Sequence, residues 1–241
     1  MNSFITFVNH ASVIFSHKNI RLMTDPWIFG NAFNNGWNLL SESKFTIEDF
    51  DKITHIWFSH EHPDHFHPLV LKTIPENFRK KITVLFQYTL DHRVAKKCKE
   101  LKFKQIIEMK PDEFVKLDNE FEIKCVPNGT YDSWFYAKIN GKKILNINDC
   151  MVDSVSQANI IKNIVDSGSV YFASTTFPKI TKNQKPINKD RWRQLNLTLP
   201  PFSLPEPIKY LDDSFPSISL DTDKCIGIWR IDDLLGLASH D

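Results

Sequence analysis

Ile53-Thr54-His55-Ile56-Trp57-Phe58-Ser59 runs without a break into His60-Glu61-His62-Pro63-Asp64-His65. The first seven residues are mostly apolar, β-branched or aromatic, which reads as a strand. The next six carry the pattern H-x-H-x-D-H, so the strand ends in a loop that concentrates imidazoles and a carboxylate. Neutral imidazole is a good ligand for zinc, iron or manganese, and a carboxylate adds a hard oxygen donor. A short loop can aim several such donors at one point, which a scattered set of surface histidines does not do. His60, His62, Asp64 and His65 are therefore the first candidates for metal ligands. His67, just outside the pattern, is expected to line the pocket rather than to bind.

Upstream of this stretch the chain reads as short strands at 4–7, 12–16 and 20–24, with His17-Lys18-Asn19 as a polar turn. A long polar and aromatic loop follows at 25–41, and loops of that length are often functional. Downstream, a short helix is expected at 68–73 with Pro68 at its start. A strand is expected at 82–86 and a helix at 91–101 capped by Asp91. Residues 121–126 and 133–139 alternate like strands, and Asn140-Gly141 is a hairpin signal into 143–147. A helix at 154–165 and a strand at 169–173 complete this part. From about Thr181, six prolines (186, 200, 201, 205, 207 and 216) interrupt regular elements. The organisation expected is one domain over 1–180 and a Pro-rich extension over 181–241 that packs on it. Strands with interspersed helices point to a layered α/β or α+β domain.

Composition narrows the function classes. The 241 residues are 41% hydrophobic and 24% charged, ordinary for a globular protein. A net charge of +1 gives no general attraction to nucleic acid or an acidic membrane. No apolar stretch approaches the roughly 20 residues of a membrane helix, and the start lacks the pattern of a signal peptide. The four cysteines, Cys98, Cys125, Cys150 and Cys225, form no CxxC pair, which argues against a zinc ribbon or a disulfide framework and for a reducing cytoplasm.

The H-x-H-x-D-H stretch resembles the signature of the metallo-β-lactamase superfamily. The resemblance implies an α+β fold, an αββα four-layer sandwich. It also implies that His60 and His62 serve one metal, that Asp64 and His65 serve a second, and that a later Asp completes the set. Asp149, ending the apolar run Leu145-Asn146-Ile147-Asn148, fits that last role, although an Asp there can equally cap a turn. Asp25, in Asp25-Pro26-Trp27, matches a residue that supports the metal loop by hydrogen bonding, and carboxylates bonded to ligating histidines fix their tautomers. His10 matches a histidine near the start of one branch, where it faces the pocket or is simply buried. The run from Thr24 to Trp37, together with His62-Pro63-Asp64-His65-Phe66, Asp132-Ser133-Trp134 and Asn146-Ile147-Asn148-Asp149-Cys150, resembles the branch containing CMP-N-acetylneuraminate hydroxylase and UDP-N-acetylmuramate hydroxylase. Those enzymes also carry a Rieske centre, which needs paired Cys and His ligands. No Cys here has a His two or three residues away.

The pattern departs from the two-metal members in two places. The loop at 126–132 contains no histidine, so either Asn128 or Asp132 supplies an oxygen ligand there or the position is left open. His240 is the remaining C-terminal histidine and lies outside any motif. One well-held metal, with a second weak or absent, is the expectation. Zinc leads, and iron or manganese is compatible with the oxygen-rich set. The leading function is hydrolysis of an ester, lactone, amide or phosphodiester by a metal-activated water, with Asp64 orienting the water or taking its proton. The aromatics Trp27, Phe29, Phe33 and Trp37 would wall the pocket, or else pack as ordinary core. An iron-dependent hydroxylase component acting on a nucleotide sugar and a metal-binding module without catalysis are the alternatives. In either enzymatic reading the partner is a small molecule, such as a nucleotide sugar or phosphorylated metabolite.

Overall fold

A computed structural model describes residues 3–39, 42–111 and 113–150, and the strand backbones at 169–172 and 217–219. Two sheets face one another. The first has seven strands in the order β12-β1-β2-β3-β4-β5-β6. These are β12 (Ser217–Ser219), β1 (Phe4–Asn9), β2 (Ser12–His17), β3 (Ile20–Thr24), β4 (His55–Trp57), β5 (Thr83–Gln87) and β6 (Gln105–Met109). The second has five strands in the order β11-β10-β9-β8-β7, namely β11 (Ser169–Phe172), β10 (Lys142–Asn146), β9 (Asp132–Ile139), β8 (Phe121–Asn128) and β7 (Phe114–Asp118). The architecture is α+β.

Strand chemistry explains the layers. β5 is buried at every residue, as a central strand with parallel neighbours and both faces covered should be. β8 instead alternates. Phe121, Ile123 and Cys125 are buried against the facing sheet while Glu122 and Lys124 are half-exposed. Between the sheets, Val13, Phe15, Leu22, Trp57 and Leu85 meet Phe121, Ile123, Phe135, Ala137 and Ile144. Phe135 is the pivot, its ring 5.3 Å from Phe15 and 5.2 Å from Trp57. Side chains of this size each contribute about 1.5–3 kcal/mol when fully buried. On the outer face of the first sheet, α1 (Pro68–Thr73) and α3 (Arg93–Glu100) add Val70, Leu71, Val94 and Cys98 to a second apolar cluster, and the short α2 (Glu76–Arg79) stands beside it. The helix expected at 154–165 lies outside the described residues. So does most of the extension at 181–241, from which β12 pairs antiparallel with β1.

Two local expectations need adjusting. The β2–β3 hairpin is tighter than the sequence suggests. His17 pairs with Ile20 at the end of β2, leaving Lys18-Asn19 as the turn. The helix expected from Asp91 starts at Arg93, because His92 takes a left-handed φ of 55° that no helical turn accommodates. Asp91 still reaches the first turn, its carboxylate accepting from the Arg93 N–H at 3.2 Å. Strands β6 and β7 add to those read from the sequence. No helix among the described residues is long and apolar enough to cross a membrane.

His55, on the strand that feeds the histidine loop, provides a measurable mark of this packing. Burial first, and then the charge of Lys104, lower its pKa from 6.5 to about 4. Between these values the unfolded chain binds a proton that the folded chain refuses, so stability rises with pH. The stability of the metal-free protein is expected to be complete above pH 6.5 and to fall as the pH drops toward about 4. Urea unfolding across that window should show the slope, and His55→Gln should flatten it.

Candidate metal centre

The site is assembled at strand ends. β3 delivers Asp25, β4 delivers Ser59 and the histidine loop, β10 leads to Asp149, and the β1–β2 turn presents His10. The carboxyl ends of adjacent parallel strands are where open sheets of this kind place ligand sites. Asp25 continues the β3–β4 ladder through its N–H, which donates to the Trp57 carbonyl at 3.0 Å. A φ of 38° then turns its side chain beneath the loop. There its carboxylate, with no solvent exposure, accepts from the Ser59 N–H at 2.8 Å and from His65 Nδ1 at 3.0 Å. Ser59 Oγ lies 2.8 Å from His60 Nδ1 and 3.1 Å from His65 Nδ1, and the Ser59 carbonyl accepts from Ser133 Oγ at 2.6 Å.

This arrangement turns the Nε2 atoms outward. With Nδ1–H of His65 donating to Asp25, Nε2 is the nitrogen left to face the other donors. That atom stands 3.2 Å from Asp149 Oδ2 and 3.5 Å from Asp64 Oδ2. His10 Nε2 donates to Asp64 Oδ2 at 3.1 Å. His60 Nε2 is 3.9 Å from Asp149 Oδ2 and 2.8 Å from Nδ1 of His62. Donor atoms of His10, Asp64 and His65 lie within 4.8 Å of one another, and so do those of His60, His65 and Asp149.

The donors fit a metal ion on two grounds. Ligands about 2.1 Å from a tetrahedral ion stand roughly 3.4 Å apart, the spacing seen around His65 Nε2. Asp64 Oδ1 is buried with no hydrogen-bond partner, and His65 Nε2 faces only carboxylate oxygens. Buried polar atoms are nearly always satisfied, so this cluster suits a cation. The electrostatics agree. Burial alone opposes charge on His65, but Asp25, Asp149 and Asp64 together hold its pKa well above 6.5. Burial would raise Asp64, and hydrogen bonds from His10 and His65 carry it far below the usual carboxylate range. Burial and the neighbouring charge of His65 push His60 down.

The sequence candidates divide accordingly. His60, Asp64, His65 and Asp149 come together, with His62 attached through His60 and exposed to solvent. Asp25 lies beneath them. His10, expected only near the pocket, stands among the donors. Asn128 and Asp132 are set back and help to line a cleft of about 560 Å³ that opens over His60 and His62, with Tyr131 beside them and Glu61 and Arg93 at the rim. Trp27 is buried behind the site, its ring centroid 4.8 Å from that of His10 in an edge-on contact, and the Trp37 and Phe33 centroids are 4.8 Å apart in the loop beyond. His67 faces away from the donors. Its Nδ1 caps α1 by accepting from the Val70 N–H at 3.2 Å, and its Nε2 donates to the Asn31 carbonyl at 3.2 Å. His240 is outside the described residues. Ser59 and Ser133 are the contributors that sequence reasoning missed.

Residues 4–115 match the β-lactamase superfamily domain, and the chain has the metallo-β-lactamase fold. The chain is also similar to cytidine monophosphate-N-acetylneuraminic acid hydroxylase from Cricetulus griseus and from Mus musculus. Each is 36% identical over 73 residues, 30% of this chain and 13% of the relative's length. The chain thus matches a small part of these relatives. Among solved structures, CmlA, a diiron β-hydroxylase from Streptomyces venezuelae, aligns with a TM-score of 0.52 at 16% identity, over 70% of this chain and 34% of that one. An isothiocyanate hydrolase from Delia radicum gut bacteria aligns with a TM-score of 0.55 at 11% identity, over 71% of each chain.

The Asp25 contact generates a prediction. In Asp25→Asn the amide NH2 needs an acceptor, which draws the His65 proton from Nδ1 to Nε2 and blocks the lone pair. Divalent metal affinity, measured by competition with a chromogenic chelator, is expected to fall about 10–100-fold.

Proposed function

We propose that the chain is a metal-dependent hydrolase acting on an ester, lactone, amide or phosphodiester. The observation that supports this best is the convergence of His60, Asp64, His65 and Asp149 donors on buried ground, with Asp64 Oδ1 lacking a hydrogen-bond partner and His60 also lining an open cleft. His65, Asp64 and Asp149 would hold the ion, with His10 and His60 at its flanks and His62 reached through His60. One Nε2 lone pair serves one ion, so two donor triads that share His65 favour a single well-held metal. Zinc suits this set, as do iron and manganese. When bound, such an ion polarises a substrate oxygen and lowers the pKa of water toward neutrality.

The chain's own residues carry the rest. Asp64 is fixed through Oδ2 by His10, which leaves Oδ1 to accept a hydrogen bond from the attacking water and orient it, or to take its proton if Asp64 does not bind the ion directly. The β8–β9 turn and Arg93 bound the space that a small-molecule substrate would fill. A second reading, an iron-dependent hydroxylase component working on a nucleotide sugar with electrons from a separate partner, is favoured by the similarity to the hydroxylases named above.

Metal analysis of protein purified without added ions separates the two. Zinc, with turnover of ester or phosphodiester substrates, is the result expected. Iron, with oxygen consumption on a nucleotide sugar, would replace the first reading by the second, and a chain that takes up no metal would remove both. Under the hydrolytic reading, Asp64→Asn is expected to lower kcat by about 10²–10⁴-fold in a steady-state assay.

A further inference from the structure

At the end of the sandwich away from the histidine loop, two hairpin turns meet. One follows β2 and carries His17 and Lys18, while the other joins β7 to β8 and carries Asp118 and Glu120. The His17 side chain is 2% exposed. Its Nδ1 lies 2.8 Å from Ser3 Oγ. Its Nε2 has no hydrogen-bond partner and points at the second turn, 3.4 Å from Glu120 Oε2. One donor atom each from His17, Asp118 and Glu120 lie within 4.8 Å of one another. We propose that these three residues form a second, structural site for a divalent transition-metal ion, which ties the two sheets together at their closed end.

The donor set is one imidazole nitrogen and two carboxylate oxygens, a borderline-to-hard combination that suits zinc or manganese. With Nδ1–H donating to Ser3 Oγ, the Nε2 lone pair is directed at the carboxylates, the same device that orients ligating histidines elsewhere. Asp118 and Glu120 are partly exposed, so water can complete the coordination shell. A buried imidazole nitrogen without a partner is unusual, and an ion would satisfy it.

Lys18 belongs to the design. Its ammonium ion-pairs with both carboxylates, 3.3 Å from Asp118 Oδ1. The ammonium therefore occupies the place a metal would take, and binding is an exchange of one cation for the other. The Lys18 side chain is 33% exposed, which allows it to swing into solvent. The six residues of β2 separate His17 from the turn that bears His10, a span of roughly 20 Å. The two sites are thus independent.

Zinc titration of the full chain, stripped with chelator and followed by calorimetry, tests the proposal. The wild-type protein is expected to bind one more equivalent than His17→Gln or Glu120→Gln. Lys18→Met is expected to keep that equivalent and to bind it at least tenfold more tightly. His60→Ala should also retain it, which separates this site from the loop site. Equal stoichiometry in wild type and Glu120→Gln would overturn the proposal, as would unchanged affinity in Lys18→Met. These two positions lie on the turns, so the result stands even if His17→Gln fails to fold.

Discussion

The Asp25 carboxylate is the constraint on which the site rests. It is fully buried, and a buried carboxylate is tolerated only when its oxygens are bonded. One oxygen takes the Ser59 N–H, fixing where the chain leaves β4, and the other takes His65 Nδ1–H, fixing which nitrogen faces the donors. One side chain therefore sets both the path of the loop and the orientation of its central imidazole. The parallel pairing of β3 with β4 puts Asp25 within reach, so the sheet and the site share a single piece of geometry.

Around that anchor the fold gathers groups from four places. His10 and Asp64 are 54 residues apart, and Ser133 and Ser59 are 74 apart, yet each pair is within hydrogen-bonding distance. The interlocked aromatic core, with Phe135 between Phe15 and Trp57, holds the two sheets in the relation that permits this. The aromatics of the 25–41 loop are not equivalent. Trp27 supports the site from behind, while Phe33, with its ring 6.0 Å from His62, stands on the solvent side.

What the sequence made legible is what depends on neighbours in the chain. The H-x-H-x-D-H loop at a strand end needs only its own spacing. The Asn140-Gly141 turn needs two residues that accept positive φ, and both do, at 49° and 74°. The alternation of β8 likewise follows from one buried face. Strand β6 escaped notice because Glu108 interrupts an apolar run on an edge strand, and β7 because Lys116 does the same. The structure brings His10 among the donors and Ser133 beneath the loop through contacts whose partners lie far along the chain. His67 illustrates the reverse case: a histidine beside a ligand cluster whose two nitrogens are committed to a helix start and a loop carbonyl.

The cleft wall formed by Asn128, Tyr131 and Asp132 comes from one turn between β8 and β9. That turn rests on a ladder whose register runs unbroken from Phe121↔Ile139 to Asn128↔Asp132, so its sequence carries little of the core's weight. The histidine loop and the cleft wall are therefore separate stretches of chain. A lineage built this way can exchange one guest for another by rewriting a few turn residues, with the grip inherited intact. Diversity of chemistry on a constant frame is then a natural outcome of where the hairpin ends.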